Sequence, residues 1–313
     1  MMGKRAILLF AGQGAQTVGM GRDLAESFGV ARDRFAQADK QLGFSLTEKM
    51  FEGPSSELTR TSICQPALYV HGLACLAILK EEVPDLDIVG VAGLSLGEFT
   101  AHAAAGTFDF ETGLDLVAKR GAFMEEATST SEGSMAALIG GEEEDIRRLA
   151  SDCEIDVANL NAPGQIVVSG SKTGIEMAVA EAESYGVRVA QELDVAGAYH
   201  SRLMMPAQEK LAAVLGDLDL ETPGIPVTCN VEGRLVRDGD DIKRTLEAQV
   251  SGSVRWSDCV QHFIDEGEDL FIELGPGRVL AGLMRRIDRK KTTLSFSDVE
   301  SFEKTLEALA VPA

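Results

Sequence analysis

A serine stands between two glycines in GLSLGEF, residues 93–99, directly after the apolar run DIVGVA. Gly-x-Ser-x-Gly at the junction of a strand and a helix is the pattern of a nucleophile elbow, a strained turn that lifts a hydroxyl clear of the backbone. The alanine-rich GEFTAHAAAG that follows reads as the required helix. Its N-terminus would bring backbone N–H groups and a partial positive charge to a reacting carbonyl oxygen. The plain alternative is a glycine-rich turn without chemistry, so Ser95 counts only together with the groups a nucleophilic serine needs.

The first need is a base. Of the four histidines, His71 and His102 fall inside helical patterns and His262 inside WSDCVQHFIDEG, where a packed or solvated imidazole is the ordinary reading. His200 lies instead in GAYHS, a glycine-containing loop before the helical SRLMMPAQEKLAAVL, where a side chain can face a cleft. The second need is a set of donors for the oxyanion. Glycines on both sides of Gln13 in FAGQGAQTVGMG predict a tight turn that offers them. A phosphate-binding loop fits that segment less well, because neither G-x-G-x-x-G nor G-K-[ST] is met. In the helix opened by Asp109, the residues Phe110, Leu114, Val117 and Met124 recur at helical spacing, and Arg120 falls on the same side. There an arginine either snorkels to water or meets an anion.

These groups need a scaffold. RAILLF (5–10), DIVGVA (87–92), IPVTCN (225–230), DLFIEL (269–274) and TTLSF (292–296) are short apolar or β-branched runs, separated by stretches of helical spacing. Nearly continuous apolar strands alternating with helices predict a parallel sheet covered on both faces. Residues 128–197 read differently. After a linker TSTSEGS, the order is strand SMAALIG, helix EEEDIRRLASDC, strands IDVANLN and QIVVSG, helix KTGIEMAVAEAESYG and strand VRVAQELDV. That is βαββαβ, the ferredoxin-like order. The expected organisation is a large α/β subdomain of residues 1–127 and 198–313, with a small one, 128–197, inserted.

The 313 residues, 45% of them hydrophobic, are ample for a large core. Asp and Glu number 50 against 29 Lys and Arg, a formal net charge of −21, which argues against nonspecific nucleic-acid binding. No uninterrupted apolar stretch has the length of a membrane span, and the start shows no signal-peptide cleavage pattern. A soluble cytoplasmic protein is expected, a monomer by default. The five cysteines are scattered and never in C-x-x-C, so buried free thiols are expected rather than a disulfide framework or zinc site. RVLAGLMRRIDRKK gathers Arg278, Arg285, Arg286, Arg289, Lys290 and Lys291. Such a run is either a wet helix face or a local dock for an acidic partner.

Taken in order, GQGAQTVGMG, QPALY, GLSLGE, AAG, NAPGQIVVSG, GAYHS, PVTCN and ELGPGRVLAGL resemble the malonyl-CoA:acyl carrier protein transacylases, relatives of the acyltransferase domains of polyketide synthases. The likeness covers nearly the whole chain. It implies an α/β-hydrolase-like core with a ferredoxin-like insert. It further implies Ser95 as acyl-accepting nucleophile, His200 as its base, and backbone N–H groups of Gln13 and Leu96 as the oxyanion hole. Arg120 would bind the malonyl carboxylate, Gln249 would support His200 through its backbone carbonyl, and Met124 and Tyr199 would line the acyl site. The implied partners are coenzyme A thioesters and holo acyl carrier protein, with no metal or redox cofactor. Two positions depart from the family pattern. Leu94 stands where G-H-S-L-G-E has histidine, and Tyr199 precedes His200 where malonyl-selective members commonly have phenylalanine, which keeps an aromatic wall. A serine thioesterase or esterase shares the elbow but has no use for a carboxylate clamp. A docking subunit without activity would have no reason to keep Ser95, His200, Gln13 and Arg120 together.

Overall fold

RAILLF has no polar face, so it belongs where both faces are covered, at the centre of a parallel sheet. In the computed structural model, which describes residues 4–310, it forms β1 (Arg5–Phe10), buried from Ala6 onward. Four helices follow, α1 (Arg22–Ser27), α2 (Gly29–Leu42), α3 (Leu46–Glu52) and α4 (Ser55–Leu58). The chain then enters α5 (Thr61–Glu82), a helix apolar on every side and buried along most of its length. By length and composition α5 could cross a membrane, but 83% of its apolar window is buried inside the molecule. That is how a helix without a polar face behaves at the centre of a core.

The strand β2 (Asp87–Gly93) pairs in parallel with β1 and runs into α6 (Leu96–Ala104) through Leu94 and Ser95. Next comes α7 (Phe110–Ser129), whose Asp109 cap accepts the Thr112 N–H as its sequence predicts. This helix continues two residues into the expected linker. The second sheet follows as β3 (Gly133–Gly140), α8 (Glu143–Asp152), β4 (Asp156–Ala162), β5 (Gln165–Ser171), α9 (Lys172–Glu181) and β6 (Val187–Glu192). Its strand order is β4-β5-β3-β6, every pair antiparallel. It carries its own apolar cluster, with Leu138, Ile146, Leu149, Val168 and Ile175 fully or almost fully buried.

The chain returns through α10 (Met205–Gly216). IPVTCN differs from expectation, since only β7 (Thr228–Cys229) is a strand, paired antiparallel with β8 (Arg234–Leu235). Pro226 has no N–H to give a ladder. Its carbonyl accepts from Val91 at 2.9 Å, and a single bridge joins Val227 to Val91 beside β2. Then come α11 (Gly239–Ala248), α12 (Trp256–Asp265), β9 (Leu270–Leu274), α13 (Val279–Ile287), β10 (Thr292–Phe296) and α14 (Val299–Ala310). The parallel sheet is completed in the order β10-β9-β1-β2. Between α11 and α12 the chain touches the second sheet, for Val254 exchanges two backbone hydrogen bonds with Ala158 and Leu160 of β4, at 2.8 and 2.9 Å. All five cysteines are free and buried.

Candidate active site

Between β2 and α6 the backbone turns within two residues, and the glycines make this possible. A Cβ on Gly93 would lie 1.8 Å from the Gly97 carbonyl oxygen, and one on Gly97 would lie 2.1 Å from that of Phe10. Only hydrogens fit where the turn folds back on itself and against β1. Ser95 sits at the apex with φ 54° and ψ −107°, outside the regions a non-glycine residue normally occupies. This is the elbow that the sequence predicts.

The Ser95 Oγ lies 2.7 Å from His200 Nε2, and His200 Nδ1 lies 2.8 Å from the backbone carbonyl oxygen of Gln249. A carbonyl only accepts, so Nδ1 carries the hydrogen. In the neutral imidazole Nε2 is then the free base that accepts the serine proton. Burial, with the Arg120 charge adding to it, pushes the His200 imidazole down to about 4, so it is neutral at physiological pH.

Arg120 does not snorkel. It is 1% exposed, its guanidinium lies over the Phe99 ring, and it donates to Gln65 Oε1 at 2.7 Å, Gln249 Oε1 at 2.8 Å and Ser95 Oγ at 3.1 Å. Burial lowers it to about 10, which still leaves it cationic at neutral pH. Its Nε has no partner among the described residues. A buried cation with an unused donor beside a nucleophile is suited to an acyl group that carries its own anion.

Gln13 lines the same cleft as Ser95, and Leu96 follows Ser95 in the chain. The Gly12 loop is packed onto the elbow so closely that a Cβ there would lie 2.4 Å from the Leu94 carbonyl oxygen. Among the described residues neither the Gln13 nor the Leu96 N–H donates to a protein acceptor, and Leu96 opens α6, whose dipole adds to its pull on an anion. The Gln13 side chain donates to Thr61 Oγ1 at 3.5 Å, and Thr61 Oγ1 meets the Tyr199 hydroxyl at 2.6 Å. Tyr199 and Met124 both line the cleft over Ser95, and Met124 Sδ accepts from Gln65 Nε2 at 3.4 Å. Leu94 lines it too and packs on the apolar cluster around Trp256 and Phe263. His71 and His102 are buried in α5 and α6, pushed down by burial to about 4 and about 3, and His262 lies half-buried against Phe263. None of the three reaches Ser95.

The cleft has a volume of about 560 Å³ and lies between the two sheets. Met135, Asn161, Val167 and Leu193 face Ser95 from the antiparallel side, and Val279 and Leu283 of α13 close the rim. The Asn161 Oδ1 is buried without a partner among the described residues. Arg285, Arg286, Arg289 and Lys290 are exposed along and after the same helix, while Lys291 pairs with Asp269 at 2.6 Å.

Sequence reasoning missed Gln65, Glu98 and Asn230. Asn230 Oδ1 accepts the Ser95 N–H at 2.7 Å. The resemblance gives Gln249 a role through its backbone carbonyl, and its side chain also donates to Ser95 O and to Glu98 Oε2, at 2.8 and 2.6 Å. One signal was available, since Glu98 is an acid in the first turn of a helix otherwise fit for burial.

A serine hydroxyl beside an imidazole and a buried cation, with unpaired N–H groups at Gln13 and Leu96, is an arrangement able to carry out acyl transfer. Residues 7–301 match the acyl transferase domain family, and the chain belongs to it; it is an acyltransferase. Within that family it is 40% identical to the malonyl CoA-acyl carrier protein transacylase of Bacillus subtilis, over 96% of both chains. It is also 41% identical to a polyketide biosynthesis malonyl CoA-acyl carrier protein transacylase of the same organism, over 90% of this chain and 96% of the relative. Among solved structures, a malonyl-transacylase in complex with a type II polyketide synthase acyl-carrier protein superposes with a TM-score of 0.93 at 34% identity, covering 97% of this chain and 99% of that one.

Proposed function

We propose that this enzyme moves a malonyl group from malonyl-CoA to the phosphopantetheine thiol of acyl carrier protein through a malonyl ester on Ser95. The observation that carries this reading is the buried Arg120, 3.1 Å from Ser95 Oγ. Relatives and a solved neighbour bearing the malonyl transacylase name support it.

Ser95 Oγ attacks the thioester carbonyl while its proton passes to His200 Nε2, and the N–H groups of Gln13 and Leu96 receive the oxyanion. The tetrahedral intermediate collapses, the C–S bond breaks, and the departing CoA sulfur takes the proton from His200. The carrier-protein thiol then repeats the cycle in reverse, giving its proton to His200 as it attacks the ester. Bonds made and broken balance with no change of oxidation state, so the reaction calls for no redox cofactor. The Arg120 guanidinium pairs with the malonyl carboxylate, and Met124 and Tyr199 bound the small acyl chamber. Leu94 replaces a polar neighbour with an apolar one, which keeps the Ser95 side of the cleft drier.

The parallel sheet with its elbow supports a hydrolase-like core for residues 1–127 and 198–313. The antiparallel order of the second sheet and its separate apolar cluster support a ferredoxin-like insert at 128–197. We read the enzyme as a cytoplasmic monomer that supplies extender units for fatty-acid synthesis. The likeness to a polyketide relative keeps a polyketide pathway as the second reading. Intact-mass analysis after exposure to malonyl-, methylmalonyl- and acetyl-CoA tests the assignment. A malonyl adduct that chases onto holo carrier protein is expected, and rapid loss of malonate to water would favour a thioesterase instead.

A further inference from the structure

The Ser95 backbone, at φ 54° and ψ −107°, is in a strained conformation that persists only where its surroundings over-determine it. Two side chains from distant parts of the sequence hold it, Asn230 at the N–H and Gln249 at the carbonyl. Both lead back to one group. Glu98 Oε2 accepts the Asn230 backbone N–H at 3.1 Å and Gln249 Nε2 at 2.6 Å. Because the Ser95 carbonyl can only accept, the two amide hydrogens of Gln249 are committed to Ser95 and Glu98. Its Oε1 is thereby turned to Arg120, which donates to it at 2.8 Å. Glu98 is fully buried and has no part in the reaction steps.

We propose that Glu98 is a positioning residue, whose Oε2 anchors Asn230 and Gln249 and through them fixes both the strained Ser95 backbone and the aim of the Arg120 fork. The second half rests on the reading of Arg120 as the carboxylate clamp, and the first half does not. Burial pushes the Glu98 carboxyl up to about 8, against the pull of Gln249, Asn230 and Arg120. Only Oε2 is used, and its other oxygen has no partner among the described residues. The anchor therefore holds whether the acid is protonated or not, and a glutamine oxygen can replace it.

The test uses two readouts on the full chain, namely the rate at which an uncharged fluorophosphonate labels Ser95, and the ratio of kcat/KM for malonyl-CoA to that for acetyl-CoA. Glu98→Met is expected to slow labelling and to lower the ratio, each by about tenfold or more, as a misplaced reactive group does. Glu98→Gln is expected to restore both nearly to the parent values. A purely structural acid would lower the melting temperature without moving the ratio. Should Glu98→Met not fold, Glu98→Asp, whose carboxylate falls one methylene short of Gln249, must show the same two losses. A folded Met or Asp variant that labels at the parent rate overturns the proposal. Arg120→Ala run alongside separates the two ideas. If the ratio ignores that change, the clamp reading fails, while the labelling rates still judge Glu98.

Discussion

On the parallel-sheet side of the cleft, each polar atom of Ser95 is engaged, with N–H on Asn230, carbonyl under Gln249, and Oγ between His200 and Arg120. The antiparallel side offers the apolar surfaces of Met135, Val167 and Leu193 interleaved with the polar side chains of Asn159, Asn161, Gln165 and Asp194, and the Asn161 oxygen is satisfied by no protein group among the described residues. The first wall is built by closing hydrogen bonds and the second by leaving room. Chemistry needs groups fixed to a fraction of an ångström, whereas a flexible thiol arm needs shape and a few unfilled acceptors. Changes on the first wall should therefore alter the chemical step and changes on the second should alter binding.

The sharpest break would come from Ser95→Ala, expected to cost roughly four to six orders of magnitude in transfer and to abolish the malonyl adduct in intact-mass spectra. A full-yield adduct would move the nucleophile elsewhere. His200→Ala should slow both half-reactions by roughly two to four orders of magnitude, read by rapid-quench acylation and by transfer to carrier protein. In the parent enzyme, the depressed His200 keeps its base form down to acid pH. Acylation should thus hold as pH falls past 6 and fail only towards about 4. His71 and His102 are depressed in the same sense, so their contribution to stability is complete above the ordinary histidine value and is lost as pH falls through about 4 and about 3. A melting curve at each pH distinguishes the two losses.

Arg120→Ala should lower kcat/KM for malonyl-CoA by roughly 10²-fold, somewhat less than losing one partner of a fully buried ion pair because the cleft must admit substrate, while acetyl-CoA, which has no carboxylate, suffers less. Equal losses on both thioesters would remove Arg120 from selectivity. On the other wall, Met135→Ala should raise KM for both thioesters by only about two- to fivefold with kcat kept, the mark of uniform binding. A fall in kcat of Arg120 size would erase the distinction between the walls. Smallest of all, Arg285→Glu with Arg286→Glu, exposed in the last turn of α13, should raise KM for acyl carrier protein by a few-fold at low salt and leave KM for malonyl-CoA alone. Added salt should shrink that difference.

The parts legible in the sequence are those with local signals. The strands β1, β2, β9 and β10 announce themselves as apolar runs, α7 by its Asp109 cap, and the Ser95 elbow by its glycines. Periodicity puts Arg120 on an apolar face and leaves open whether it reaches water or an anion; its burial removes the first reading. What stayed hidden is the support behind the site. Asn230 and Gln249 meet Ser95 across 135 and 154 positions, and such closures leave no mark on nearby spacing. IPVTCN misled for a related reason, because its β-branched residues fit a strand while Pro226 withholds the donor that would continue one.

The helix α5 has a consequence for how the polypeptide is made and handled. From Ile63 to Leu79 it has almost no solvated side, so before α6 and α7 complete the cover begun by α2 this stretch is a greasy rod in water. A fragment that stops between residues 82 and 96 keeps the rod and lacks most of its cover. Such fragments should emerge in the pellet or in the grip of a chaperone, whereas those extended through α7 should show a clear gain in soluble yield. Comparing the two lengths by cell-free synthesis and centrifugation would show whether the centre of this enzyme is also its most vulnerable stage of birth.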